Sequence, residues 1–130
     1  MRKDGWELML HNYIEASRGL SFVWGENDCA LWASSWVDLC TGSAHASEWA
    51  GLYDTEEGAK ELMLERLCAN VDEVATSILL RKSVKMAQRG DLVLFSGALG
   101  ICDGRKSYFL TPEKGLVCVL TVQCAKAWAV

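Results

Sequence analysis

The sequence predicts an α+β fold over residues 1–130, with N-terminal helices packed on a C-terminal antiparallel sheet. Two observations support this prediction. Apolar residues recur at helical spacing in the first part of the chain, and from Asp91 onward they fall in short runs separated by turn signals. Helices followed by an antiparallel sheet are typical of the α+β class. At 130 residues, the chain is also close to the commonest size of one domain.

Four helices are expected in the first part, over about residues 5–17, 29–40 and 56–68, with a short fourth starting near residue 70. Asn27 or Asp28 can cap the second helix, and Gly42 lies just past its end. Thr55 precedes the third helix, and Asn70 precedes the fourth. The second helix places several apolar residues on one face, which predicts that this face is buried: Ala33, Trp36, Val37 and Cys40.

Five strands are expected in the second part, over residues 92–95, 98–102, 107–110, 116–122 and 125–130. Asp103-Gly104 separates the second and third strands. It is a strong hairpin signal, because Asp-Gly suits the positive φ angles of a two-residue turn. The sequence therefore predicts an antiparallel sheet with a hairpin at Asp103-Gly104.

Composition argues against several classes of protein. The net charge is −4, so a nucleic-acid surface is not expected, and the cluster of Arg81, Lys82, Lys85 and Arg89 is interpreted as solvated surface. No apolar stretch is long enough to cross a membrane, so no membrane insertion is expected. Charged residues interrupt the N-terminal segment, which predicts no secretory signal and a protein made in a reducing cytoplasm.

The six cysteines are predicted to be reduced thiols, mostly small core residues: Cys29, Cys40, Cys68, Cys102, Cys118 and Cys124. No pair has the C-x-x-C spacing of a zinc site, and the chain has only two histidines. Neither a metal nor a cofactor is therefore expected.

Residues 22–32 carry the strongest chemical signal, with the sequence FVWGENDCALW. They place Cys29 in the first turn of the predicted second helix. The partial positive charge at a helix N-terminus stabilises a thiolate, which is the nucleophilic form of cysteine. Position alone still favours an inert core cysteine, because free cysteines are usually buried.

Two ordered motifs resemble the NlpC-type cell-wall peptidases, which have a papain-like fold. The first is Trp24-Gly25 followed by Asp28-Cys29 at the start of a helix. The second is Gly90-Asp91 leading into a strand, followed by Leu99-Gly100-Ile101 in the next strand. The chain is most similar to a phage-associated offshoot of these peptidases, which also shares Thr41-Gly42, Gly51-Leu52-Tyr53 and Ala127-Trp128. The resemblance implies a single NlpC-like domain with Cys29 at the nucleophile position.

The chain departs from the peptidases at the base. The resemblance places their catalytic histidine at the position of Ala98, and no histidine follows His45. A cysteine nucleophile needs a base within about 3 Å in a productive geometry. His45 would have to run straight back along the second helix to reach Cys29, and His11 on the first helix is interpreted as a surface residue.

Two functional hypotheses follow from the resemblance. The first is a structural or assembly protein of a phage tail tip or baseplate, built on a disarmed peptidase fold. It would bind other tail-tip proteins, or further copies of itself, in a virion assembled in the bacterial cytoplasm. The alternative is an active peptidoglycan endopeptidase or amidase that uses Cys29 with an unusual base, such as His11 or a partner residue. Unassisted proton transfer typically costs a factor of about 100 to 10,000 in rate.

Overall fold

The computed structural model describes residues 1–130. Four α-helices occupy the first part of the chain: α1 (Trp6–Ala16), α2 (Cys29–Thr41), α3 (Glu56–Glu65) and α4 (Val71–Ile78). Three short 3-10 turns lie at residues 46–48, 84–86 and 121–123. None of the helices combines the length and the apolar character needed to cross a bilayer.

A six-stranded antiparallel sheet follows the helices. Its strands are β1 (Leu80–Lys82), β2 (Leu92–Phe95), β3 (Ala98–Asp103), β4 (Lys106–Thr111), β5 (Gly115–Leu120) and β6 (Lys126–Ala129). Their spatial order is β1-β6-β2-β3-β4-β5. Strands β2 to β5 form a meander that includes the expected hairpin at Asp103-Gly104, and the last strand returns to lie between β1 and β2. The predicted α+β class is confirmed.

The differences from the expected elements are local. Strand β1 was not predicted, because three residues with two cations, Leu80 to Lys82, carry no strand pattern. Helix α3 ends at Glu65 and not near residue 68, because Leu67 adopts a left-handed conformation with φ of 63°. Strand β5 ends at Leu120, since residues 121–123 form a turn.

The predicted cap of the second helix is confirmed, with Asp28 as the capping residue. The Asp28 carboxylate accepts a hydrogen bond from the Leu31 N–H at 2.9 Å. Thr55 and Asn70 cap α3 and α4 in the same way. Gly42 ends α2 with φ of 77°, a conformation that suits glycine. Short-range sequence signals therefore predicted the starts of α2, α3 and α4 correctly.

The main core lies between the helices and one face of the sheet. Helix α2 buries the predicted face, with Trp36 and Cys40 fully buried, against β3 and β4. The Trp36 indole N–H donates to the Gly90 carbonyl oxygen at 2.8 Å, which joins α2 to the start of β2. A second, smaller cluster occupies the other face of the sheet: Val93, Cys102, Phe109, Cys124 and Ala127.

The expected reduced state applies to all six cysteines, which are free thiols. The expected burial applies to half of them: Cys40, Cys102 and Cys124. Cys118 is exposed, and Cys29 and Cys68 are half-buried. The prediction that the basic cluster is solvated surface holds for Arg81 and Lys85, which are exposed. It does not hold for Lys82, whose ammonium group pairs with buried Asp91 at 2.7 Å.

Candidate functional site

Cys29 is the first residue of α2, as the sequence predicted, and a tight loop leads into it. Val23 and Asn27 exchange two backbone hydrogen bonds, of 3.0 and 2.8 Å, which close the loop. Gly25 lies at its tip with φ of 80°. A Cβ atom at this position would overlap the Tyr53 carbonyl oxygen. The loop therefore needs glycine both for its backbone conformation and for its close approach to residue 53.

Asp28 holds the loop, the helix and a distant segment together. It is 1% exposed and caps α2 through Oδ1. Its Oδ2 atom accepts hydrogen bonds from the Gly25 N–H at 3.1 Å and from the Tyr53 hydroxyl at 2.5 Å. All three donors are neutral, so Asp28 is a buried carboxylate held by hydrogen bonds without a cation.

Tyr53 is a site residue whose role the sequence analysis missed. Gly51-Leu52-Tyr53 was noted as part of the resemblance, without a contact partner. In the structure the Gly51 N–H donates to the Gly25 carbonyl oxygen at 2.9 Å, and Tyr53 reaches Asp28. Burial, followed by the hydrogen bond to Asp28, raises the pKa of Tyr53 well above its ordinary value. The hydroxyl therefore keeps its proton and donates it in the hydrogen bond to Asp28, so no phenolate is present to act as a base.

The Cys29 sulfur lies against the start of β3. The Leu99 backbone interacts with the thiol, and α2 packs along β3. The structure thus brings Cys29 and the neighbourhood of Ala98 together. The Ala98 methyl group itself packs against the second cluster, on the sheet face away from the helices. An imidazole at position 98 would have to leave that packing to reach the sulfur.

The environment of Cys29 disfavours a thiolate. The pKa of the thiol is raised from its ordinary value of 9.0 to about 11. Burial is the main cause, and the neighbouring Asp28 charge acts in the same direction. Hydrogen bonds from the backbone of Leu99, Ala30 and Cys29 itself favour the thiolate but do not compensate. At neutral pH, roughly one thiol in ten thousand is ionised.

An apolar cavity of about 350 Å³ opens beside Cys29. It lies among α2, α3, the start of α4 and the turn between β2 and β3, and two tryptophans line it, Trp24 and Trp49. Its titratable side chains other than Cys29 are Asp28, Tyr53, Glu56 and Lys60. Glu56 and Lys60 form an exposed ion pair at 3.5 Å. The cavity is at the small end of the range for ligand pockets.

Neither histidine lines this cavity. The backbone N–H of His45 donates to the Asp38 carboxylate at 2.8 Å, and Asp38 lies nine residues after Cys29 on α2. That separation corresponds to about 14 Å along the helix axis. His11 is exposed on α1. The structure agrees with the view that His45 is not a base for Cys29 and places His11 on the surface.

The second motif of the resemblance is structural in this chain. Gly90 has φ of 90° and contacts Arg2 closely, and Gly100 leaves room for the Phe109 ring. Asp91 is 1% exposed and accepts charged hydrogen bonds from Arg2 at 2.9 Å and Lys82 at 2.7 Å. It also accepts from the backbone N–H groups of Gln88 and Val130. Asp91 therefore ties both chain termini and β1 to the start of β2.

No group of three or more His, Cys, Asp or Glu side chains gathers as a metal site. The chain matches a domain family described as a domain of unknown function, DUF6950, over residues 1–130, and it belongs to that family. No curated protein matches the chain.

Proposed function

We propose that this member of the DUF6950 family is a structural or assembly protein of a phage tail, built on a papain-like fold of NlpC type that has lost its catalytic base. The observation that carries the proposal is the state of Cys29. Its thiol lies at a helix N-terminus, where a nucleophile would be expected, and yet its pKa is raised to about 11.

The contacts of Cys29 support the loss of activity. A papain-like mechanism needs a base that takes the thiol proton and then protonates the leaving amine. The groups near the Cys29 sulfur that favour its thiolate all belong to the backbone, at Leu99, Ala30 and Cys29 itself, and none of them is a titratable base. The neighbouring Asp28 carboxylate helps to raise the pKa of the thiol, and its three donors already hold it in place.

The loop before Cys29 favours a scaffold, because its geometry does not depend on a reactive thiol. Asp28, Gly25 and Tyr53 form a rigid, buried connection that positions the start of α2 whether or not Cys29 reacts. A fold can keep such a framework while its surfaces acquire other binding roles. The tail setting, with other tail-tip proteins as partners in a virion, follows from the resemblance to the phage-associated offshoot.

The first experiment measures cell-wall cleavage. Purified protein is incubated with peptidoglycan sacculi, and the release of soluble fragments is followed by mass spectrometry. We expect no release above that of the matched control Cys29→Ala. Cleavage that disappears in Cys29→Ala would contradict the proposal and establish the enzyme.

The second experiment tests whether the protein is a component of the phage tail. Phage particles produced by the source host are probed with gold-labelled antibodies against this chain and viewed by electron microscopy. We expect label at the tail tip, and normal tails from phage carrying Cys29→Ala. Tails that assemble and infect normally without the protein would contradict a structural role.

The cavity beside Cys29 favours the second candidate, an active peptidoglycan endopeptidase or amidase. It gives a substrate access to the thiol, and backbone N–H groups near the sulfur resemble an oxyanion-stabilising site. This candidate needs a base from a partner chain. It therefore predicts that Cys29-dependent cleavage appears when the purified protein is mixed with tail proteins, even where the protein alone releases no fragments.

A further inference from the structure

Strand β5 is an exposed sheet edge without the usual protection. It spans Gly115–Leu120, pairs with β4 on one side and ends the sheet on the other. Its sequence, GLVCVL, contains neither a charge nor a proline, and none of its residues is fully buried. Natural proteins usually block an edge of this length with charges, proline or a covering element, because its free backbone groups can pair with another chain.

The pairing with β4 shows which backbone groups are free. The Thr121 N–H donates to the Arg105 carbonyl oxygen at 2.8 Å, and the β4–β5 register continues from that pair. Because hydrogen-bonded and non-hydrogen-bonded pairs alternate, residues 115, 117 and 119 direct their backbone groups toward β4. Leu116, Cys118 and Leu120 direct theirs outward, at the open edge. No backbone bond in the turns and loops uses these three residues.

The five residues 116–120 are also a palindrome, Leu-Val-Cys-Val-Leu, centred on Cys118. An antiparallel strand of the same sequence therefore matches them in one register, with Leu116 opposite Leu120 and Val117 opposite Val119. Cys118 is opposite its own copy. This register pairs the three residues whose backbone groups point outward, so about six hydrogen bonds can form.

The opposite edge of the sheet is protected. Strand β1 has only three residues, and two of them are the cations Arg81 and Lys82. Charged residues and short length are common devices against edge pairing. The contrast between the two edges indicates that the open character of β5 is not a general property of this sheet.

We infer that β5 is a dimerisation edge, where a second copy of this chain adds its own β5 in antiparallel orientation about a two-fold axis at Cys118. The result is a continuous twelve-stranded sheet, twice the six strands of one chain. Beyond the strand, Glu113 and Lys114 of one copy lie opposite Gln123 and Val122 of the other, so no like charges meet in this register. Because it involves no residue of the Cys29 site, this inference is independent of the proposed function.

Analytical ultracentrifugation of the purified chain tests the inference, at concentrations up to roughly 0.5 mM, above the dissociation constants of most specific interfaces. We expect a dimer whose fraction rises with concentration. Cys118→Lys places two like charges opposite each other at the axis and should weaken dimerisation by about tenfold or more. Cys118 is exposed, so the monomer should remain folded. Leu120→Lys, at a half-exposed position, is the second variant if Cys118→Lys does not fold.

Two controls locate the contact. Leu80→Lys, at an exposed residue of β1, should leave dimerisation unchanged. Cα atoms in a hydrogen-bonded antiparallel pair are about 5.5 Å apart, within the range for a disulfide, so diamide should cross-link the dimer through Cys118. Cys118→Ser should still dimerise but should not cross-link. A chain that stays monomeric, a dimer insensitive to Cys118→Lys, or an oligomer lost in Leu80→Lys would each overturn the inference.

Discussion

Asp28 and Asp91 are both fully buried carboxylates at the centre of a motif, but they are held in opposite ways. Asp28 accepts hydrogen bonds from three neutral donors: two backbone N–H groups and the Tyr53 hydroxyl. Asp91 is neutralised by two cations, Arg2 and Lys82, and accepts two backbone bonds as well. One carboxylate shapes a loop, and the other joins distant parts of the chain.

The contacts of the two aspartates explain why the two motifs are present in this chain. Trp24-Gly25 with Asp28-Cys29, and Gly90-Asp91 in front of a strand, are the residues on which the resemblance to peptidases rests. In this chain both aspartates have full structural roles. Asp28 even opposes catalysis, because its charge helps to raise the pKa of Cys29. Both motifs therefore have a structural basis in this chain that does not depend on catalysis.

Replacement of Asp91 should have the largest effect. Asp91→Ala leaves Arg2 and Lys82 in a largely buried site without a counter-charge, and we expect a loss of about 3 to 5 kcal/mol in the free energy of unfolding. Urea denaturation followed by tryptophan fluorescence measures it. Asp103→Ala is the matched control, because its pair with Arg89 has a similar length, 2.8 Å, but is more exposed. The control should lose less than about 1 kcal/mol. Equal losses in the two variants would contradict the comparison.

Asp28→Ala should come second, with a loss of about 2 to 3 kcal/mol. It removes the cap of α2 and leaves the Gly25 N–H and the Tyr53 hydroxyl without an acceptor, but it strands no charge. Thr55→Ala, which removes the more exposed cap of α3, is the control, with an expected loss near 1 kcal/mol. If Asp28→Ala destabilised the protein more than Asp91→Ala, the distinction between neutral and charged partners would fail.

The sequence predicted Asp28 far better than Asp91, for a physical reason. A helix cap is a local signal, because the aspartate and the N–H group that it accepts lie three residues apart. Asp91 has one local partner, the Gln88 N–H, but its partners Arg2 and Val130 lie 89 and 39 residues away, and only the folded topology brings these to it. Strand β1 was missed for the same reason, since its pairing with β6 depends on a contact across almost fifty residues.

In the candidate site, too, the sequence predicted the local features and missed those that depend on long-range contacts. The position of Cys29 at a helix start was predictable from the preceding cap and loop. The raised pKa of its thiol was not, because that depends on burial against β3. Tyr53 was visible as part of a recurring pattern, but its partner could not be inferred from a separation of 25 residues.

Tyr53→Phe should produce a smaller effect. The ring keeps its packing while one hydrogen bond to a buried carboxylate is lost, so we expect a loss of about 1 to 2 kcal/mol in unfolding free energy. Tyr108→Phe, which removes a half-buried hydroxyl near exposed Arg18, should change stability by less than about 0.5 kcal/mol. An equal effect of both substitutions would indicate that the Tyr53 hydroxyl does not support Asp28.

The smallest effect concerns pH and tests the electrostatic half of the comparison. Because the pKa of Cys29 is raised to about 11, the folded state holds the thiol proton more tightly than the unfolded state does. The stabilisation is complete below about pH 9 and declines as the pH rises toward 11, by roughly 1 kcal/mol at pH 10. Comparison with Cys29→Ala isolates this contribution, since lysines and tyrosines titrate in both proteins.

Asp28→Asn keeps an acceptor for the Leu31 N–H but removes the charge. Iodoacetamide labelling should therefore show a lower apparent pKa for Cys29 in that variant, and the rate at which exposed Cys118 is labelled is the internal control. If iodoacetamide labelled Cys29 at pH 7.5 as readily as it labels Cys118, the Cys29 thiol would be reactive. The proposal that the site is catalytically inactive would then be wrong.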